Sequence, residues 1–251
     1  MCLIAWNWQP DSQQPLLLLA NRDEFFVRPT QPLHWWQHGL FMAGRDLHGG
    51  GSWLGVSRDG RLAALTNYRD PLHQRADAPS RGKLVTDFLE GSLSAADYLA
   101  QLTPHAQDYN PFNLLLLDGQ QLLGFESRQA RSFVVQPGIQ GVSNAGFNTP
   151  WPKLVRLTAA LSRQKPTADT ETLMSLLADD TIAPDTLLPQ TGITLERERL
   201  LSAAFIRSPD YGTRASSVVK ITAQGVEFSE RSFNAQGTLA TQQFSLAAVA
   251  A

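Results

Sequence analysis

The chain has 251 residues, 43% hydrophobic and 18% charged, which is long enough to bury a sizeable core and too apolar for a disordered segment. Lys and Arg total 21 against 23 acidic residues, a formal net charge of -2, so there is no cationic surplus for a nucleic-acid footprint. A single cysteine, Cys2, excludes an internal disulfide and a thiolate metal cage.

Met1 to Asn21 carries no Lys or Arg, and its longest apolar run, Leu16 to Ala20, stops at Asn21-Arg22-Asp23-Glu24. The pattern of a secretory signal or transit peptide is therefore missing. No run approaches the roughly 18 apolar residues of a membrane span. These features predict a cytoplasmic protein with no transmembrane segment.

In chain order, Cys2 to Trp8 and Leu16 to Ala20 read as strands flanking the turn-rich Gln9-Pro10-Asp11-Ser12. Strands follow at Leu40 to Gly44, Ser52 to Ser57 and Arg61 to Asn67, the last two joined at Asp59-Gly60. Ser80 is positioned to cap a helix that buries Leu84, Val85, Phe88 and Leu89, and Ser94 a second with Leu99 and Leu102 inward. Phe112 to Leu117 and Gln121 to Glu126 flank Asp118-Gly119 as another hairpin, followed by strands at Phe133 to Gln136 and Gln140 to Asn144. Pro152 opens a helix with Leu154, Leu157 and Leu161 as its stripe. Short helices near Thr170 to Leu177 and Leu195 to Ala204 precede strands at Ala215 to Ile221 and Val226 to Ser232. Residues 234–251, rich in Ala, Gln and Thr without periodicity, predict a loose tail. Strands in antiparallel runs with helices inserted between them favour an α+β architecture, with residues 1–251 as a single domain.

Several chemical motifs dissolve on inspection. His48-Gly49-Gly50-Gly51 is similar to an esterase oxyanion-hole stretch, but no G-x-S-x-G elbow accompanies it, and a tight glycine turn explains it better. Ser80-Arg81-Gly82-Lys83 fits S-x-x-K without a K-T-G partner, and reads as a capped helix start. His34 and His38 have the i, i+4 spacing of a helical metal pair, yet sit among Pro32, Trp35 and Trp36 with no H-E-x-x-H pattern, so no metal is assigned.

Cys2 stands apart because a small residue at position 2 permits removal of Met1. The new terminus would carry a thiol and a free α-amine on one residue, and an adjacent amine can act as the base that activates a weak nucleophile. The competing reading is a small buried hydrophobe at a strand start. In the tetrad Asn21-Arg22-Asp23-Glu24, an extended backbone would turn Asn21 and Asp23 one way and Arg22 and Glu24 the other. Only half of it could then point at a neighbouring Cys2.

Met1-Cys2, Asn21-Arg22-Asp23-Glu24-Phe25, Arg28-Pro29, Ala43-Gly44-Arg45-Asp46 and Trp53-Leu54-Gly55-Val56 together resemble the NRDE family, also called the transport and Golgi organisation 2 family. The likeness continues through Leu65-Thr66-Asn67-Tyr68-Arg69, Ser80-Arg81-Gly82, Phe112-Asn113-Leu114, Ser143-Asn144-Ala145, Trp151-Pro152-Lys153, Tyr211-Gly212-Thr213-Arg214 and Glu230-Arg231. Ser52 departs conservatively from the family's usual Thr. The family is in turn similar to the cysteine-type N-terminal-nucleophile (Ntn) hydrolases, among them penicillin V acylase and bile-salt hydrolase. That resemblance implies a four-layer αββα sandwich of two antiparallel sheets flanked by helices. It implies a linear-amide hydrolase in which Cys2 attacks, Asn67 and Asn144 form the oxyanion hole, and Arg214 is a late active-site arginine. Asp23 is assigned to the amine or thiol region and Arg22 to structure, with Asn21 and Glu24 completing the motif. The alternative it implies is a non-enzymatic carrier of haem or an acyl lipid, with haem as transported ligand and no cofactor required. On either reading the partner is a small amphipathic molecule: an N-acyl amide, haem or an acyl lipid.

Overall fold

A computed structural model describes residues 2–36, 39–119 and 121–247. Strands β1 (Cys2–Trp8) and β2 (Leu16–Phe25) form a hairpin closed by a hydrogen bond from the Gln9 amide to the Pro15 carbonyl at 2.8 Å. Side chains alternate across them. Ile4, Trp6, Trp8, Leu16 and Leu18 enter one buried cluster, and Leu3, Ala5, Leu17 and Leu19 another. Because both faces are covered, the runs read as continuously apolar rather than alternating.

The remaining strands are β3 (Thr30–Trp36), β4 (Phe41–Asp46), β5 (Leu54–Ser57), β6 (Leu62–Asn67), β7 (Phe112–Asp118), β8 (Gln121–Glu126), β9 (Arg131–Val134), β10 (Gly138–Val142), β11 (Tyr211–Thr222), β12 (Gly225–Asn234) and β13 (Gly237–Ala247). They build two antiparallel sheets, one ordered β10-β1-β2-β11-β12-β13 and the other β3-β4-β5-β6-β7-β8-β9. The central core lies between the sheets, where Trp6, Leu18 and Phe228 meet Met42, Val56 and Leu115. Helices α1 (Gly82–Glu90) and α2 (Ala95–Leu102) cover the outer face of the second sheet through Leu84, Phe88 and Leu99. Helices α3 (Pro152–Leu161) and α4 (Thr170–Leu176) cover the first through Leu154, Leu157, Leu161 and Leu173. Helix α5 (Leu195–Leu200) is a short outlying turn. The layers are thus α, β, β, α, and each fully buried Leu contributes roughly 1.5–3 kcal/mol to holding them together.

The differences from the sequence reading have physical causes. Strand β2 runs past Ala20 to Phe25, so the charged tetrad is strand rather than turn. Strand β3 was hidden by Pro32, which an edge strand tolerates at the register shift between Gln31 and His34. The loose-tail expectation is corrected over most of its length. Residues 237–247 pair with β12 as an edge strand, and its alternation is disguised by Thr, Gln and Ala. Residues 248–251 lie outside the described residues. Helix α1 starts at Gly82 with Arg81 before it and no side-chain cap, so Ser80 does not cap it, whereas Ser94 does accept the Asp97 amide at 3.0 Å. Among the described residues, no helix is long and apolar enough to cross a membrane.

Candidate active site

Cys2 opens β1, opposite Arg22 on β2, and its side chain shares the inter-sheet face with Ile4 and Trp6. It is only 8% exposed and borders a cleft of about 420 Å³ whose walls include Arg22, Glu24, Arg28, Asp46, Trp53, Asn67 and Arg81. Burial pushes the thiol above its ordinary range, the nearby Asp23 and Glu24 carboxylates add to the rise, and Arg22 opposes it. At neutral pH this sulfur is a thiol, so a nucleophilic role requires a base to take its proton.

The tetrad divides between faces as an extended strand requires. Asn21 turns toward the helical layer and is saturated there. Its Nδ2 donates to the Leu177 and Ala204 carbonyls, both at 2.8 Å, and its Oδ1 accepts from the Ser216 hydroxyl at 2.6 Å. Arg22 takes the other face, donating to Thr30 and Asp46 at 3.2 Å each, with its guanidinium 4.4 Å above the Trp53 ring. Glu24 accepts the Phe25 amide at 2.9 Å and lies 3.9 Å from Arg28.

Asp23 is fully buried, and its Oδ1 accepts from the Thr213 hydroxyl at 2.8 Å. Burial raises its pKa, while the Lys153 ammonium is the largest influence drawing it back. Lys153 is 1% exposed at the start of α3, and its Nζ has no hydrogen-bond acceptor among the described residues. Burial lowers it to about 8, and Asp23 and Cys2 work against that fall while Arg69 reinforces it. A buried acid and a buried base are thus held within electrostatic reach of the thiol. The sequence reading assigned no role to Lys153, although the signal was present. Lys153, Leu157 and Leu161 are four residues apart, so a lysine occupies the buried stripe of α3.

Asn67 ends β6 and lines the cleft. Its main-chain carbonyl accepts from Asn144 Nδ2 at 2.8 Å, while the Asn144 carbonyl accepts the Arg69 amide at 2.7 Å. Arg69 in turn donates to Glu198 at 2.6 Å, a pair with both side chains 5% exposed, and lies 4.6 Å over the Trp151 ring. Asn144 is therefore a step behind the cleft, gripping the backbone of Asn67, rather than a second amide on the cleft wall.

Two turns complete the walls. In the first, Asp46 Oδ1 accepts the His48 and Gly49 amides at 3.0 Å each, which folds the glycine run back on itself as the turn expected from its composition. Gly51 is required for close approach, since a Cβ there would lie 2.2 Å from the Gly82 carbonyl carbon at the start of α1. In the second, Arg214 occupies the bulge between Thr213 and Ala215. Its Nη1 donates to the carbonyls of Phe25, Phe26 and Arg28 at 2.9, 3.2 and 3.0 Å, and its Nε to Phe233 at 3.2 Å. The expectation of a late arginine in the site is corrected: the main chain engages this guanidinium, which fixes the turn that carries Arg28.

A profile for "Transport and Golgi organisation 2" matches residues 1–235. The chain belongs to that family. It is 36% identical over 257 residues to the Bos taurus transport and Golgi organization protein 2 homolog, covering 92% of this chain and 93% of the relative. The Homo sapiens homolog is 33% identical with the same coverage. Among solved structures, the fold is similar to the Caenorhabditis elegans ortholog of N-acylethanolamine-hydrolyzing acid amidase, with a TM-score of 0.53 at 9% identity over 86% of this chain and 92% of that one. That likeness concerns the fold alone.

This family member carries a second, more apolar pocket of about 270 Å³ lined by Phe25, Ile193, Leu200, Leu201 and Tyr211, and Glu24 and Asn67 border both pockets. Burial pushes the Tyr211 hydroxyl well above its ordinary range, and Asp23 and Glu24 add to the rise. His34 lies on strand β3 with Nδ1 at 2.7 Å from the Pro32 carbonyl, and His38 lies outside the described residues. Among the described residues, no three His, Cys, Asp or Glu side chains converge to hold a metal ion.

Proposed function

We propose that this protein hydrolyses a linear amide bond of a small amphipathic N-acyl substrate through Cys2. The observation that carries the reading is Cys2 and Asn67 lining one polar cleft. Removal of residue 1 frees an α-amine on Cys2 whose ordinary pKa is about 7.7–8.0. This amine takes the thiol proton as sulfur attacks the substrate carbonyl carbon. Asn67 Nδ2 donates to the oxyanion that forms, where a preorganised donor in a desolvated site is most effective. The ammonium then returns the proton to the departing amine, the C–N bond breaks, and the acyl group remains on sulfur as a thioester. Water attacks next, giving its proton to the same amine, and release of the acid restores the thiol. Asp23 and Lys153 set the local field, while Asn144 and Arg214 act at one remove by positioning Asn67 and Arg28. The fold shared with an N-acylethanolamine-hydrolyzing enzyme's ortholog is compatible with this chemistry.

The decisive experiment compares Met1-free protein with its Cys2→Ala variant on a broad panel of N-acyl amides. Cys2-dependent release of amine, with an acyl adduct on residue 2 by mass spectrometry, is the expected result. No hydrolysis of any member by folded, Met1-free protein overturns the reading.

A second reading has its own supporting observation, an apolar pocket that shares Glu24 and Asn67 with the polar cleft. The pair of pockets suits a carrier of an acyl lipid or haem, and Cys2 and His48 line the cleft with side chains of the kind that ligate haem iron. A haem titration that leaves the Soret band unchanged, with no retention of acyl lipid, removes this reading.

A further inference from the structure

Three guanidiniums border the cleft, and two of them are neutralised. Arg22 meets Asp46 at 3.2 Å, and Arg28 meets the same carboxylate at 2.7 Å and Glu24 at 3.9 Å. Arg81 has no carboxylate within ion-pair distance among the described residues, and its Nη1 donates only to the Pro111 carbonyl at 3.0 Å. Burial lowers Arg81 to about 10, the facing Cys2 and Glu24 oppose the fall, and Arg28 adds to it. The Arg81 charge is therefore partly desolvated and has no ion-pair partner of its own among the described residues. Such an arrangement is costly unless an anion completes it.

We infer that Arg81 is the subsite for a carboxylate on the ligand of this cleft. A planar guanidinium matches a carboxylate edge-on through two parallel hydrogen bonds. Glu24 and Asp46 on the neighbouring walls disfavour a dianion such as a phosphate monoester. Gly49 keeps this wall free of a side chain, since a Cβ there would lie 2.7 Å from the Ser80 hydroxyl and 3.4 Å from Arg28 Nη2. The ligand is then an amphipathic monoanion, its carboxylate at Arg81, its centre passing Cys2 and Asn67, and its apolar tail in the second pocket. The assignment rests on the hydrolase reading for turnover only; binding at Arg81 stands without it.

The test uses the Cys2→Ala protein, which cannot turn substrate over, and calorimetry with three probes: N-dodecanoyl-alanine, its neutral alaninamide, and N-dodecanoyl-O-phosphoethanolamine. The acid should bind at least about tenfold more tightly than the amide, a preference that added salt erodes. Arg81→Gln on that background should remove the preference while leaving affinity for the alaninamide unchanged, and Arg81→Lys should keep part of it. Matching melting curves establish that the variants are folded. An undiminished preference in folded Arg81→Gln, no preference in the parent, or tighter binding of the phosphate each overturns the assignment. Arg81-dependent binding of the acid without hydrolysis by Met1-free protein sinks the hydrolase reading and leaves the subsite standing.

Discussion

Asn144 donates its side-chain amide to the main-chain carbonyl of Asn67 at 2.8 Å, joining the start of the loop after β10 to the end of β6. Asn144 is fully buried, so this amide has no water to fall back on. Asn144→Asp replaces the donor with an acceptor facing that carbonyl and should cost about 1–3 kcal/mol in urea denaturation. If Asn67 is the oxyanion donor, kcat should fall more than KM rises. Unchanged stability in the variant would show that the contact contributes nothing.

Asp23 and Lys153 stabilise one another inside the protein, each drawn toward neutrality by burial. Lys153→Met removes the cation that most opposes the burial of the Asp23 carboxylate and should destabilise the protein in urea denaturation. Adding Asp23→Asn should recover much of the loss. A double-mutant cycle with no coupling would mean that the two groups do not interact.

The Cys2 thiol should alkylate slowly at neutral pH in protein that retains Met1. Because burial and the carboxylates of Asp23 and Glu24 raise its pKa above the ordinary range, the rate with iodoacetamide should still be climbing beyond about pH 9. A plateau below pH 8 would contradict this environment. Removing Met1 should accelerate the reaction at pH 8 by supplying the adjacent amine.

Glu230 gives stability its own pH dependence. It is 1% exposed between the sheets, accepts the Leu33 amide at 2.8 Å and the Ser217 hydroxyl at 3.4 Å, and is pushed by burial to about 7. Its raised folded-state pKa favours the protonated form. The contribution is therefore complete below the ordinary glutamate range near pH 4.5 and is lost as pH rises through about 7. Glu230→Gln should match the parent at pH 4.5 and exceed its stability by roughly 3 kcal/mol at pH 8. Parallel stability curves for the two proteins from pH 4.5 to 8 would refute the assignment.

Gly51→Ala should destabilise the protein by about 1–3 kcal/mol, because the added methyl overlaps the backbone at Gly82. The same change should weaken the binding of acidic ligands, since Gly82 follows Arg81. A variant as stable as the parent would mean that the start of α1 yields readily.

The sequence by itself determined the periodic parts of this protein. Continuous apolar runs such as Leu16 to Ala20 require burial on both faces, and the stripe through Leu84, Phe88 and Leu89 requires a helix lying on a sheet. Strand alternation likewise separates Asn21 and Asp23 from Arg22 and Glu24. Cys2 and the cleft-lining Asn67 were also legible, the first from its position and the second through family resemblance. Only the tertiary structure decided which polar groups meet. Asn144 and Arg214 looked like site residues, but Asn144 donates to a carbonyl 77 residues away and Arg214 to one 189 residues away, which no local pattern encodes. Lys153 and Glu230 are ordinary charged residues until the sheets close over them, and Arg81 is an ordinary surface cation until the turn after β4 walls it in. Hydrophobic periodicity is written locally because it reports each residue's own preference for water. The partner and the protonation state of a buried charge depend on the other elements that exclude water around it, and these come together only in the folded chain.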